Sequence, residues 1–186
     1  MNVPFVPVPS YCEENVWMLL NSLDGAALST AHALFVSNAD RTVAFLNQKN
    51  GGGGPVVWDY HVVALLDAPG GRVAEDFNCA AGERLDLDAW LAASFGGLDV
   101  PDFYRPLFKP VPAPLFLERF RSDRSHMLAE DGSYIAPPPP WPCIRGGSGA
   151  GGTNLDRFVD AADAEFGTAR TLREFRDLWT PPSPGP

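Results

Sequence analysis

The first third of the chain moves from helical to alternating apolar spacing. After a proline-broken start, Val16, Leu19, Leu20 and Leu23 recur at helical spacing and Gly25 follows, which predicts a helix opening near Tyr11. Ser10 is placed to cap it, Glu13 and Glu14 fall in its first turn, and Cys12 sits at the positive end of its dipole. Residues 33–37 and 42–46 read as strands around a polar turn at 38–41, a predicted hairpin. Glycines 51–54 form a loop, and the nearly unbroken apolar run over 56–66 predicts a central strand.

Asp67-Ala68-Pro69-Gly70-Gly71 has the chemistry of a turn that folds residues 72–77 back antiparallel beside that strand. Helical patterns follow at 86–95, around Leu87, Trp90 and Leu91, and at 172–179. Residues 101–114 are proline-punctuated and read as irregular, and 115–120 as a short strand or helix. The four prolines from Pro137 hold 136–144 extended, 146–152 is a loop of small residues, and order returns at 154–158. No internal repeat interrupts this order. The class is α/β in the α+β sense, a mostly antiparallel sheet flanked by helices. The 186 residues make a single catalytic domain over 1–186, with loose ends at 1–9 and 180–186.

The net charge of −9 narrows the partners, because its field repels phosphate backbones and anionic membranes while mildly favouring a peptide with a free α-ammonium group. Nucleic acid and membrane are therefore not expected partners, and no apolar run approaches the ~20 residues of a membrane span. The opening residues carry none of the basic charge of an export signal. Cys12, Cys79 and Cys143 are odd in number and form no C-x-x-C pair, which argues for a reducing, cytoplasmic setting, with the nucleus added in a eukaryotic host. With His32, His61 and His126 they show no zinc-ligand spacing, so neither metal nor organic cofactor is expected.

A thiol attacks carbonyl carbon as thiolate, and a helix N-terminus and a nearby imidazolium both favour that form. Cys12 has the first by position, and His61, on the central strand, is the best-placed histidine, with His126 second. A turn centred between Ala68 and Pro69 puts Asp76 directly opposite His61. A loop over 68–71 instead puts Asn78 opposite and Asp76 diagonal on the same face, and a one-residue bulge presents Glu75 or Phe77. A carboxylate there fixes the imidazole tautomer, giving a Cys-His-Asp triad. A thiol on a helix followed by a hairpin bearing His and Asp is also the chain order of the transglutaminase-like branch of papain-type enzymes, an analogy of arrangement. The triad leaves the attacked carbonyl open: peptide cleavage and transamidation remain alternatives, as does a non-catalytic module that binds peptide N-termini or offers 137–142 to a polyproline-binding partner.

The strings Tyr11-Cys12-Glu13-Glu14-Asn15-Val16-Trp17 and Trp58-Asp59-Tyr60-His61-Val62-Val63 closely resemble signatures of the protein N-terminal glutamine amidohydrolases. The likeness continues through Phe35-Val36-Ser37-Asn38, Ser122-Asp123-Arg124-Ser125-His126-Met127, residues 137–144, and Asn154-Leu155 with Phe158, so nearly the whole chain is covered. The resemblance implies a monomer with a papain- or transglutaminase-like core. It also implies a catalytic set of Cys12, His61 and Asp76, and deamidation of an N-terminal glutamine to glutamate through a thioester, feeding an N-degron pathway. Asp76-Phe77-Asn78 departs from the family's Asp-x-Asp, and residues 51–54 and 80–114 also look unlike it. Refusing internal glutamines requires an acceptor for the α-ammonium, for which Glu13, Glu14, Asp59 and Asp123 are candidates. Trp58, Tyr60 and Trp141 are candidates to wall the glutamine methylenes.

Overall fold

The computed structural model describes residues 5–147 and 151–180, and the apolar run at its centre becomes strand β4 (His61–Ala68) of a six-stranded antiparallel sheet. On one side of β4 lie β5 (Gly71–Glu75) and β6 (Arg84–Asp86); on the other lie β1 (His32–Ser37), β7 (Leu107–Pro112) and β8 (Arg170–Thr171). Val62, Ala64 and Leu66 face helix α1 (Cys12–Asn21) through Val16 and Leu20, together with Phe116 of α4 (Ala113–Arg119) and Phe158 of α5 (Leu155–Val159). Val63 and Leu65 face Trp90 and Leu91 of α3 (Leu87–Phe95) and Phe175 of α6 (Leu172–Trp179). Both faces are covered, so the strand alternates between two cores and reads as continuously apolar.

The β4–β5 hairpin forms where the turn chemistry places it, with Ala68 opposite Gly71 and Asp67 opposite Arg72. Gly70 and Gly71 take positive φ of 102° and 144°, which side-chain-bearing residues rarely adopt. Carried along the strands, this register is the diagonal one, with Asp76 two residues from the position opposite His61 and on the same face.

Four expectations are corrected. Residues 33–37 do not form a hairpin with 42–46, because both edges of β1 are taken, by β4 and β7. Asn38 turns the chain away: its amide donates to the carbonyls of Phe103 and Arg105 while its oxygen accepts from Thr42 N–H. β2 (Val43–Phe45) then pairs with β3 (Val56–Trp58) in a separate two-stranded sheet. The run over 56–66 is consequently two strands, broken where Asp59 accepts from Tyr60 N–H through its side chain and from the Ser37 hydroxyl through its carbonyl. Residues 107–112 are a strand despite Pro110 and Pro112. Ala113 N–H bonds Ala31 across the β1 edge, so by alternation both prolines turn their donorless nitrogens to the far edge, where β8 pairs only with Leu107 and Phe108. Ser10 does not cap α1: it sits at φ 69°, and Tyr11 takes the N-cap position without a side-chain bond.

Of residues 115–120, 115–119 resolve as helix within α4 and Phe120 is its extended C-cap, and a short helix α2 (Gly25–Thr30) capped by Asp24 was not expected. Of the expected loose ends, 1–4 and 181–186 lie outside the described residues, as does 148–150 of the glycine loop. Phe5 packs edge-on against Phe77 and Trp141, and Asn15 holds Val8 by two hydrogen bonds. Among the described residues no helix is long and apolar enough to cross a membrane.

Candidate active site

The break at Asp59 and Tyr60 makes His61 the first residue of β4, at the rim of the sheet. There the N-terminus of α1 meets it. The Val62 N–H, next to His61, acts on the Cys12 sulfur, and the thiol lies 3.5 Å from Glu13 Oε2, which also accepts the Tyr60 hydroxyl at 3.1 Å. Cys12 thus sits close to the residues on both sides of the histidine, Tyr60 in the break and Val62 on β4.

His61 Nε2 lies 2.8 Å from Asp76 Oδ1, in a pair that is almost fully buried. Asp76 Oδ1 also accepts Asn78 N–H at 2.9 Å, and Oδ2 accepts Trp90 Nε1 at 3.0 Å. Burial pushes the Asp76 carboxyl up, but the His61, Trp90 and Asn78 donors outweigh it and hold the group below its ordinary value. An ionised Asp76 has no proton to give, so in the neutral form of the ring Nε2 carries the hydrogen and Nδ1 the lone pair. The ring is stacked by Trp58 at 6.2 Å and met edge-on by Phe45 at 5.5 Å. Gln48 steadies this wall by accepting from Trp58 Nε1 and Asn78 Nδ2.

The thiol itself is not lowered, as its place at a helix start predicts, but raised well above its ordinary value. Burial is the main cause and the neighbouring Glu13 carboxylate the next, against which the Val62 N–H acts in the lowering direction. The resting sulfur is therefore a thiol. The same burial and the same carboxylate push the Tyr60 phenol up.

Each residue of the Tyr-Cys-Glu-Glu-Asn string has a separate task. The Tyr11 hydroxyl donates to the Ala136 carbonyl, tying the helix start to the proline-rich segment. Glu14, wholly buried, receives a two-pronged bond from Arg124 at 3.0 and 2.8 Å, plus Ser122 Oγ and Trp141 Nε1. Arg124 goes on to the carbonyls of Pro139 and Trp141, so one ion pair fastens three segments. Asn15 secures Val8.

Of the acidic candidates, Glu13 alone touches the thiol. Glu14 is engaged by Arg124, Asp59 is exposed and closes its own turn, and Asp123 is exposed, with its carboxyl kept low by the Ser125 side chain and by the Ser125 N–H it accepts. Trp58 and Tyr60 line the site from the strand side, while the Trp141 indole bonds to Glu14. His126 Nε2 approaches Glu13 Oε1 at 3.4 Å, and although burial works against its charged form, Glu13 raises its pKa. Sequence reasoning missed Arg124, Trp90 and Gln48 as supports. The string around Ser122 was a signal for the first, and nothing local marks the other two. Cys79 is buried, Cys143 partly so, and both are free. Among the described residues no group of three or more His, Cys, Asp or Glu side chains is arranged to hold a metal ion.

A family model described as N-terminal glutamine amidase matches residues 8–179. The chain is similar to the protein N-terminal glutamine amidohydrolase of Homo sapiens, 34% identical over 172 residues that cover 89% of this chain and 83% of the relative. The protein of the same name from Bos taurus is 33% identical over 172 residues, covering 89% and 82%. That of Danio rerio is 33% identical over 156 residues, covering 80% and 76%.

Proposed function

This chain belongs to the N-terminal glutamine amidase family, and on that premise we propose that it hydrolyses the side-chain amide of an N-terminal glutamine, giving N-terminal glutamate and ammonia. The observation that carries the mechanism is the lodging of the Cys12 sulfur against β4 beside a His61 whose far nitrogen is held by buried Asp76. His61 Nδ1 takes the thiol proton as the sulfur attacks the amide carbon, and returns it to the departing nitrogen, which leaves as ammonia. Water, deprotonated by His61, then hydrolyses the thioester and regenerates the thiol. The N–H groups of the first turn of α1, which carries Cys12, lack intrahelical acceptors and are the donors assigned to the tetrahedral oxyanion. Asp76 keeps the histidine in the useful tautomer throughout.

The reaction as written is complete without a metal or organic cofactor. Trp58 and Tyr60 flank the glutamine methylenes, and Glu14 with Arg124 fixes the helix turn that carries Cys12. The protein works as a monomer in the cytoplasm, and its N-terminal glutamate product enters an N-degron route. Peptides beginning Gln, acetyl-Gln and Asn test the substrate. Ammonia release with an intact peptide backbone is expected from the first only; chain cleavage, amine addition or equal turnover of the acetylated peptide would overturn the reading.

A further inference from the structure

We propose that the Glu13 carboxylate is the seat of the substrate α-ammonium, covered by the His126 side chain when the site is empty; this rests on the deamidation proposed above. Glu13 has no solvent exposure, and its two oxygens are treated unequally. Oε2 is occupied by the Tyr60 hydroxyl and the Cys12 thiol. Among the described residues Oε1 makes no hydrogen bond and neither ring nitrogen of His126 has a hydrogen-bond partner; Nε2 stands 3.4 Å from Oε1, within ion-pair reach but without the alignment a hydrogen bond requires. A buried carboxylate oxygen without a donor is unfavourable, and natural proteins keep few of them except where a ligand completes the set.

The His126 side chain is 22% exposed, so the side of Glu13 it covers is the side nearest solvent. A cation entering there meets Oε1, while the sulfur lies on the Oε2 side of the same carboxylate. One carboxylate thus spans the two points a substrate must reach, the ammonium and the carbon under attack. Glutamine bridges that span with its methylenes, and asparagine, one methylene shorter, falls short. An acetylated N-terminus brings no charge to Oε1.

Seating the ammonium has a second effect. The charged and titratable groups facing the thiol are Glu13, Asp59 and Tyr60, with His61 on the adjoining strand, and His126 in turn faces Glu13, Glu14 and Asp123. A cation on Glu13 offsets the negative charge nearest the sulfur and favours the thiolate when substrate is present.

The test uses alkylation of Cys12 by iodoacetamide, read by peptide mass spectrometry, at about pH 7 where an α-ammonium is still charged. The probes are glycinamide, which offers an ammonium and no side chain, and N-acetylglycinamide. Glycinamide is expected to speed Cys12 alkylation roughly tenfold, and N-acetylglycinamide to leave it unchanged. Glu13→Gln, checked for folding by its melting temperature, is expected to alkylate fast without glycinamide and to ignore it. Its kcat/KM on a Gln-initiated peptide should fall roughly 10- to 100-fold, mostly through KM, so that its preference over the acetylated peptide shrinks by the same factor. An unchanged alkylation rate with glycinamide in the wild-type protein, or an undiminished preference in Glu13→Gln, overturns the proposal. Alkylation needs no turnover. A glycinamide effect without ammonia release would therefore sink the deamidation reading and leave the ammonium seat standing, and the reverse result would sink the seat alone.

Discussion

Replacing Asp76 by asparagine keeps size and shape while turning one of two engaged carboxylate oxygens into a donor. The wild-type carboxylate accepts from His61 Nε2 and Asn78 N–H at one oxygen and from Trp90 Nε1 at the other. An asparagine that keeps its oxygen toward His61 points its NH₂ at the Trp90 N–H, donor against donor. Turned over, it faces Asn78 N–H with a donor and forces His61 to carry its hydrogen on Nδ1, where it can no longer take the thiol proton. Either orientation leaves at least one buried donor unpaired, at about 1–3 kcal/mol, and the second removes the base. Loss of the tautomer-fixing carboxylate in the serine-protease triad lowers kcat about 10⁴-fold, which sets the scale expected here. The stability loss also depends on pH. Asp76 is held below its ordinary value, so its contribution is present above the unfolded carboxyl range near pH 4 and disappears as pH falls through its lower folded value. Wild-type and D76N urea midpoints should therefore differ at neutral pH and converge in acid. A D76N enzyme whose kcat stays within tenfold of wild type, at substrate saturation, would refute the orienting role of Asp76.

Breaking the buried Glu14–Arg124 pair by Arg124→Met leaves a carboxylate with only Ser122 and Trp141 as donors, and should cost about 3–5 kcal/mol in urea unfolding. Adding Glu14→Gln should restore a large part of that loss; strictly additive losses would show that the two residues act independently. His126 is raised above its ordinary value through Glu13, so its stabilisation is complete below about pH 6.5 and lost as pH rises through the folded value. His126→Asn should accordingly be less stable than wild type at about pH 5.5, with the gap closing as pH rises through the raised His126 value, and a gap that widens with pH would contradict the ion pair.

What the sequence reveals is what is local. Helix α6 and most of α1 and α3 follow from apolar spacing, and the β4–β5 turn from Pro69 and the glycines after it, which is why Asp76 arrives beside His61. What it conceals is pairing over distance. β1 chooses a partner in β7 more than seventy residues later in preference to the nearer strand, because Asn38 finds its acceptors on Phe103 and Arg105. The prolines of β7 hide a strand, since the unpaired edge that tolerates them is visible only once β8 is in place. At the candidate site, the places of Cys12 at a helix start and of His61 on a strand are legible. The electrostatic state of the thiol is not, because Glu13 is carried to the sulfur by the turn of the helix and sealed in by Tyr60 and His126 from elsewhere in the chain.

Attack by the sulfur of Cys12 on the glutamine side chain is the step on which the proposed chemistry stands. Ammonia release from a Gln-initiated peptide by the wild-type protein and by Cys12→Ala, both confirmed folded by melting temperature, tests it most directly. Steady release is expected from the first and none above the buffer rate from the second; measurable turnover by Cys12→Ala would contradict a cysteine nucleophile.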